Sequence, residues 1–149
     1  MKSNYSCSIT ISANIQWIPD TVEKIMDFLK SYMYLNEEIV FETRVILNEL
    51  LVNAVVHGNK KDNSKKVHVK AGVCEDHRIY IIVEDEGEGL VIEEKLCNEE
   101  VFDCNAAVEV FCLNESGRGL IITSSLCDSL KRNKKGNKVV VLKRPVKGI

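Results

Sequence analysis

No stretch of the chain approaches the roughly 20 consecutive apolar residues that a membrane-spanning helix needs. The N-terminus, Met1-Lys2-Ser3-Asn4-Tyr5, runs into polar alternation rather than the apolar core of a secretory leader. These absences point to a cytoplasmic protein with no membrane partner. An excess of one charge is also missing: the formal net charge is -2, so no global field draws the chain towards nucleic acid. Basic residues do gather at 60–70 and 131–147, where solvated turns and an edge hairpin account for them. None of the six cysteines (Cys7, Cys74, Cys97, Cys104, Cys112 and Cys127) forms a C-x-x-C pair, and no histidine stands at a metal-ligand spacing from them. Free, mostly buried thiols in a reducing compartment are expected, with a redox role open only to Cys104 or Cys112. A Walker A loop and a Rossmann fingerprint after a first strand are both lacking. So are internal repeats and a linker. With 149 residues, 45% of them hydrophobic, the chain fits one domain over 1–149 with one ordinary core.

What is present is a patterned series of elements. Residues 7–12 alternate as a first strand with Cys7, Ile9 and Ile11 on one face. Pro19-Asp20 suits the first turn of a helix whose stripe is Val22, Ile25, Met26 and Leu29, closed by Tyr32 and Tyr34. Asn36 caps a second helix, with Glu37 and Glu38 in its first turn and a stop at Gly58-Asn59. Its Ile39, Val45, Ile46, Leu50, Val52, Ala54, Val55 and Val56 wrap most of the way round, which predicts a largely buried helix. A polar loop over 60–66 precedes a strand carrying Val67, Val69, Ala71 and Val73, a turn at Glu75-Asp76-His77, and a return strand over 79–84. Residues 91–97 suit a short helix. Residues 98–115 have weak periodicity, with at most a helical turn around 106–110, and a loop that long in a compact domain is usually a functional lid or disordered. A last helix over 119–130 and a hairpin turned by Lys135-Gly136-Asn137 between 129–133 and 138–143 complete the chain. Hairpins dominate, so an antiparallel or mixed sheet with helices packed on one face is expected.

Three short motifs carry chemistry. In Glu49-Leu50-Leu51-Val52-Asn53-Ala54-Val55-Val56-His57, residues Glu49, Asn53 and His57 recur every fourth position and so share one helix face. A carboxylate and a carboxamide on so apolar a helix need partners. Either they bond to neighbouring backbone, or Asn53 gives an oxygen to hydrated Mg²⁺ and Glu49 takes a proton from a nucleophile. His57 suits a cap at the helix C-terminus. In Asp85-Glu86-Gly87-Glu88-Gly89, Asp85 continues the face of Ile79, Ile81 and Val83. That puts a carboxylate at the mouth of the core, able to accept a hydrogen bond from an exocyclic amine. Gly87 and Gly89 let the backbone approach a planar ring, or simply make an acidic turn. In Ser116-Gly117-Arg118-Gly119-Leu120, two glycines precede a helix, where backbone N–H groups receive anions, or where the loop hinges.

Taken in this order, the strings at 49–58, 85–89 and 116–120 resemble the N, G1 and G2 boxes of the GHKL ATP-binding superfamily. The nearer resemblance is to the small anti-sigma factor serine kinases of the RsbW and SpoIIAB type, over roughly residues 9–142. The resemblance implies an α/β fold, the Bergerat α+β sandwich, with a mixed, mostly antiparallel sheet. It implies Glu49 as general base and Asn53 as the Mg²⁺ ligand. Asp85 would read adenine in a pocket shaped by Gly87 and Gly89, with Gly117, Arg118, Gly119 and Leu120 beside the phosphates and 98–115 as the ATP lid. It implies ATP or ADP with Mg²⁺ as cofactors, and a homodimer that binds a sigma factor. That dimer would phosphorylate a serine or threonine of a small STAS-type anti-sigma-factor antagonist. The chain has no room for the dimerisation and phosphoacceptor helices of a full histidine kinase.

The lid departs from what a triphosphate would favour. It holds Glu99, Glu100, Asp103, Glu109 and Glu115 but no Lys or Arg, so phosphate charge must be met by Mg²⁺, backbone N–H groups, Arg118 and Lys60 or Lys61. Two alternatives to the kinase therefore stay open: a nucleotide-gated binding regulator without chemistry, and an ATPase that needs no partner.

Overall fold

The computed structural model describes residues 3–87, 123, 125–133 and 136–145. β1 spans Ser3–Ser12 and a short 3-10 turn spans Ile15–Trp17; α1 covers Ile18–Tyr32 and α2 Glu37–Val52. A π-helical segment, Asn53–Gly58, continues α2. β2 (Lys66–Cys74), β3 (Ile79–Asp85), β4 (Ser129–Arg132) and β5 (Lys138–Lys143) follow. The five strands form one sheet in the order β1-β2-β3-β5-β4, antiparallel at every described pairing. The expected hairpins thus win over any parallel crossover.

Period-two alternation builds the sheet's inner face. Cys7 pairs with Ala71, Ala71 with Ile81, Ile81 with Val141, and Val141 with Leu130. One step along, Ile9, Val69, Val83 and Val139 make the next row. Most of these residues belong to a single core with the stripes of both helices. The other face carries Ser8, Thr10, His68 and Lys70, all exposed. β1 starts at Ser3, earlier than the alternation suggested, because β2 offers pairing partners as far as Cys74.

α1 has Pro19 and Asp20 in its first turn and buries Ile18, Val22, Ile25, Met26 and Leu29, as its stripe predicts. Asn36 caps α2 by accepting the Ile39 N–H at 2.8 Å. The expectation that α2 is largely buried, with apolar residues most of the way round, is corrected. Its buried residues recur at Ile39, Ile46, Leu47, Leu50 and Leu51, while Val52 is 37% and Phe41 64% exposed. Only one stripe fits between the sheet and α1. Arg44 on α2 ion-pairs with Glu23 on α1 across the solvent-facing side.

Two other element boundaries are corrected. Helical conformation is seen at Thr123 and at 125–126, but a bend at 127–128 ends it. Leu130, expected at a helix end, instead pairs with Val141 in β4, where its fully buried side chain completes an inner row. The second correction is the π segment, treated below. Among the described cysteines, Cys7, Cys74 and Cys127 are thiols outside any disulfide, as expected, and burial raises the Cys74 thiol above its ordinary value. No described helix is long and apolar enough to cross a membrane. The expected helix at 91–97, the lid at 98–115, Gly89, Gly117, Arg118, Gly119, Leu120, Cys97, Cys104 and Cys112 lie outside the described residues.

At one end of the core sits an ion pair the sequence did not announce. Lys143 of β5 and Glu42 of α2 meet at 2.7 Å with side chains only 3% and 8% exposed. The same ammonium donates to the Leu126 carbonyl at 2.5 Å. From Glu42 the helical run extends to Gly58, about 24 Å at 1.5 Å per residue. β3 covers about 20 Å from the row of Lys143 to Asp85. The two therefore keep pace, and the end of the helix arrives over the end of the strand.

Candidate functional site

Glu49 and Asn53 lie one turn apart on the flank of the buried stripe, and both are half-buried. The Asn53 N–H reaches the carbonyls of both Glu49 and Leu50. Beyond Asn53 the α-helical spacing gives way to the wider π turn, as the Asn59 N–H bonding to the Ala54 carbonyl five residues back at 2.8 Å shows. Among the described residues the Asn53 carboxamide nitrogen is buried and has no hydrogen-bond partner. An unsatisfied buried N–H donor costs about 1–3 kcal/mol; it can serve a hydrogen-bond acceptor, whereas only the side-chain oxygen could meet a cation. Backbone bonding, one of the two readings open for Asn53, does not account for that nitrogen. Among the described residues no group of three or more His, Cys, Asp or Glu side chains gathers to hold a metal. A cation here would take one protein oxygen from Asn53 and the rest from water and an anionic ligand. This donor set fits Mg²⁺, which keeps most of its waters, and not a metal held in an all-protein cage.

His57 leaves the expected face. The sequence spacing put it in line with Glu49 and Asn53, but the π turn adds a residue per turn after Asn53, and His57 is exposed in the last turn. What the wider turn delivers instead is Gly58.

Asp85 is 8% exposed at the end of β3, in the inner row that runs through Ile11 and Val67. Its Oδ1 accepts the Gly87 N–H at 2.8 Å. Its Oδ2 lies against Gly58 so closely that a Cβ there would sit 2.2 Å away. A Cβ on Gly87 would sit 1.9 Å from the Gly58 carbonyl oxygen. Three residues from two elements therefore interlock with no room for a methyl group. Gly87 was expected to let the backbone approach a planar ring; what it packs against here is the Gly58 carbonyl. Gly58 was read as a helix stop, the position that usually turns left-handed. Here the left-handed residues are Lys60 (φ 52°) and Lys61 (φ 58°), and the Lys61 N–H closes the turn on the Val55 carbonyl at 2.8 Å. Gly58 is glycine because Asp85 occupies the space of its side chain.

Sequence reasoning missed the asparagines around this lock. Asn59, fully buried, donates to the Lys66 carbonyl at 2.9 Å and accepts the Glu86 N–H at 2.9 Å. Asn137, at the β4–β5 turn, donates from its side chain to the Asp85 carbonyl at 2.9 Å. Its own carbonyl accepts the Asp85 N–H at 2.9 Å. A buried Asn one residue past a helix stop looks like ordinary turn chemistry, and nothing in the linear string joins it to 85–87. Glu86 points to the other face, accepting the Lys66 N–H at 2.8 Å and facing His68 at 3.3 Å. The Lys66 bond first, and His68 second, hold its carboxyl below the ordinary glutamate value.

The structure thus brings Asp85 and Gly87 against the end of the same helical run that bears Glu49 and Asn53. A family model described as the histidine kinase-like ATPase domain matches residues 15–143. The chain belongs to this family. Within it, the chain is similar to an anti-sigma F factor of Clostridium perfringens, at 28% identity over 139 residues, 91% of this chain and 84% of that one. It is 27% identical to a serine-protein kinase RsbW of Oceanobacillus iheyensis over 107 residues, 72% of this chain and 66% of the relative. A second serine-protein kinase RsbW, from Bacillus licheniformis, is 30% identical over 69% of this chain and 62% of its own length. Among solved structures, the RsbU and RsbW domains of Rv1364c from Mycobacterium tuberculosis share the fold with a TM-score of 0.63 at 16% identity. This histidine kinase-like ATPase domain covers about a third of that longer chain, 32%, while 95% of its own length is matched. An ATPase-type domain is a nucleotide-binding domain.

Proposed function

We propose that this protein is an ATP-dependent serine/threonine protein kinase that acts as an anti-sigma factor and phosphorylates a small STAS-type antagonist. The observation that carries the proposal is the lock of Asp85 on Gly58 at the end of the helical run that bears Glu49 and Asn53. It joins the Asp85 carboxylate, the Asn53 carboxamide and the half-buried Glu49 carboxylate in one connected unit, which supports this reading. Similarity to an anti-sigma F factor over most of both chains supports the biological role. In this reading Asp85 accepts the exocyclic amine of adenine, with Gly87 and Gly89 admitting the ring. Asn53 holds Mg²⁺, which when bound neutralises phosphate charge. Glu49 takes the proton from the attacking hydroxyl, and Gly117, Arg118, Gly119 and Leu120 lie by the phosphates. The protein works as a cytoplasmic homodimer that binds its sigma factor in one nucleotide state.

The test is incubation with Mg-ATP and a candidate antagonist, followed by mass spectrometry for phosphoserine or phosphothreonine. Glu49→Ala is expected to bind ATP and lose transfer; Asn53→Ala is expected to weaken Mg-ATP binding in calorimetry. No transfer from wild type to a verified partner overturns the kinase reading, and unchanged Mg-ATP affinity of Asn53→Ala overturns the assignment of that residue. The acidic composition of 98–115 favours a second reading, a regulator that binds nucleotide as a switch without chemistry. Tight binding with neither phosphate release nor transfer is its signature.

A further inference from the structure

The peptide bond that joins Asp85 to Glu86 is gripped from both sides by side-chain carboxamides. Its carbonyl accepts from Asn137 Nδ2 at 2.9 Å, and its N–H donates to Asn59 Oδ1 at 2.9 Å. This is the point at which β3 runs out of pairing partners. Elsewhere the sheet ladder holds a peptide plane; here two asparagines from separate loops take over. The orientation of each amide is set by its other partner. Asn59 Nδ2 is occupied by the Lys66 carbonyl at 2.9 Å, which leaves its oxygen for Glu86. Asn137 Oδ1 accepts from Asn133 Nδ2 at 2.8 Å, which leaves its nitrogen for Asp85. Asn133 in turn knits the hairpin turn, its Oδ1 facing the N–H groups of Gly136 at 2.8 Å, Asn137 at 3.1 Å and Lys138 at 3.2 Å. Gly136 makes that turn possible with φ 83°.

The plane of this peptide controls where the Asp85 carboxylate points. Rotating it changes ψ of Asp85 and φ of Glu86, which carries away the Gly87 N–H that holds Oδ1 at 2.8 Å. The side chain is then free to leave its seat on Gly58. We propose that Asn137 and Asn59 are positioning residues that set base specificity, by clamping the Asp85–Glu86 peptide so that the carboxylate meets the exocyclic amine of adenine. Neither asparagine touches the nucleotide in this arrangement; both act through Asp85. The inference deepens the assignment of Asp85 as adenine reader and rests on it. It also makes the β4–β5 turn part of the nucleotide site, although the turn lies about 50 residues further along the chain.

The experiment compares calorimetric affinities for Mg-ATP and for purine riboside triphosphate, which lacks only the 6-amino group. Wild type is expected to prefer ATP about tenfold or more, the value of a hydrogen bond to a charged acceptor. Asn137→Ala is expected to lose most of that preference, because ATP affinity falls while affinity for the analogue holds. Asn137→Asp keeps the shape and the bond from Asn133 but replaces the donor to the Asp85 carbonyl with an acceptor, and the same collapse is expected. A fraction of unfolded protein lowers both affinities alike, so the ratio is insensitive to a general loss of stability. Preserved preference in both variants, with both affinities falling in parallel or not at all, overturns the clamp and leaves Asp85 as reader. A wild-type protein that binds both nucleotides equally overturns the reading of Asp85 itself, and the clamp with it.

Discussion

Gly58→Ala separates contact from conformation by the sign of its effect. Gly58 is helical, not left-handed, and alanine in a helix is favoured over glycine by about 1 kcal/mol. Propensity alone therefore predicts a more stable protein. The structure predicts the opposite. A Cβ at 58 would lie 2.2 Å from Asp85 Oδ2 and 2.4 Å from its Cγ, against 3.4 Å or more for ordinary contact. The far end of a long side chain would swing away at small cost. Asp85 is short, its Oδ1 holds the Gly87 N–H, and the peptide after it is fixed on both sides. Relief requires breaking the bond from Gly87, about 1.5–3 kcal/mol for a charged acceptor, together with about 1–3 kcal/mol of overpacking. Set against the helical gain, the net loss is about 1.5–5 kcal/mol. For a chain of this length that lowers Tm by roughly 3–20 °C. On the proposed reading of adenine by Asp85, ATP affinity is expected to fall at least about tenfold, since the displaced carboxylate would no longer meet the amine. Scanning calorimetry and a nucleotide titration on one preparation measure both. A Tm that rises or shifts by less than about 2 °C, with ATP affinity within about twofold of wild type, refutes the reasoning.

Two further predictions concern ionisable groups other than Asp85. Lys143→Met leaves Glu42 buried without its counter-charge and the Leu126 carbonyl without its donor; it is expected to cost about 3–5 kcal/mol in denaturant unfolding, and Glu42→Leu combined with Lys143→Met to recover most of the loss. A double variant no more stable than the single one contradicts a buried pair held by mutual neutralisation. The Glu86 carboxyl, held below its ordinary value chiefly by the Lys66 N–H, contributes stability that is present above the unfolded value of about pH 4.3 and disappears as pH falls through the lowered one. Glu86→Gln should therefore show a shallower loss of stability on the acid side. Acid titrations that superimpose with wild type would exclude this contribution.

The local vocabulary of the fold was readable in one dimension. Alternation at Val67, Val69, Ala71 and Val73 and the spacing of Val22, Ile25, Met26 and Leu29 named strand and helix, because burial on one face imposes those periods. Asn36 and Pro19-Asp20 marked helix starts through backbone groups only a few residues away. Asp85 was placed on the inner face by parity alone, and the sheet register bears this out. The misreadings share a cause. The burial most of the way round expected of α2 ignored how little surface one sheet and one neighbouring helix can cover. The helix expected to run to Leu130 ignored that β5 offers Leu130 a strand partner. The single unbroken helix to residue 57 missed the π turn, whose extra residue leaves no hydrophobic signature.

By itself the sequence determined the elements, their order, the family, and the candidate residues Glu49, Asn53 and Asp85, since each rests on short-range periodicity or on a compact motif. Only the tertiary structure decided why Gly58 must be glycine, where His57 points, that Lys143 is buried against Glu42, and that Asn59 and Asn137 grip one peptide bond. Those facts depend on atoms brought within 3 Å of each other from positions 27 to 101 residues apart. Backbone hydrogen bonding and steric exclusion at that range follow from how the chain packs, and no local pattern of residue types records it.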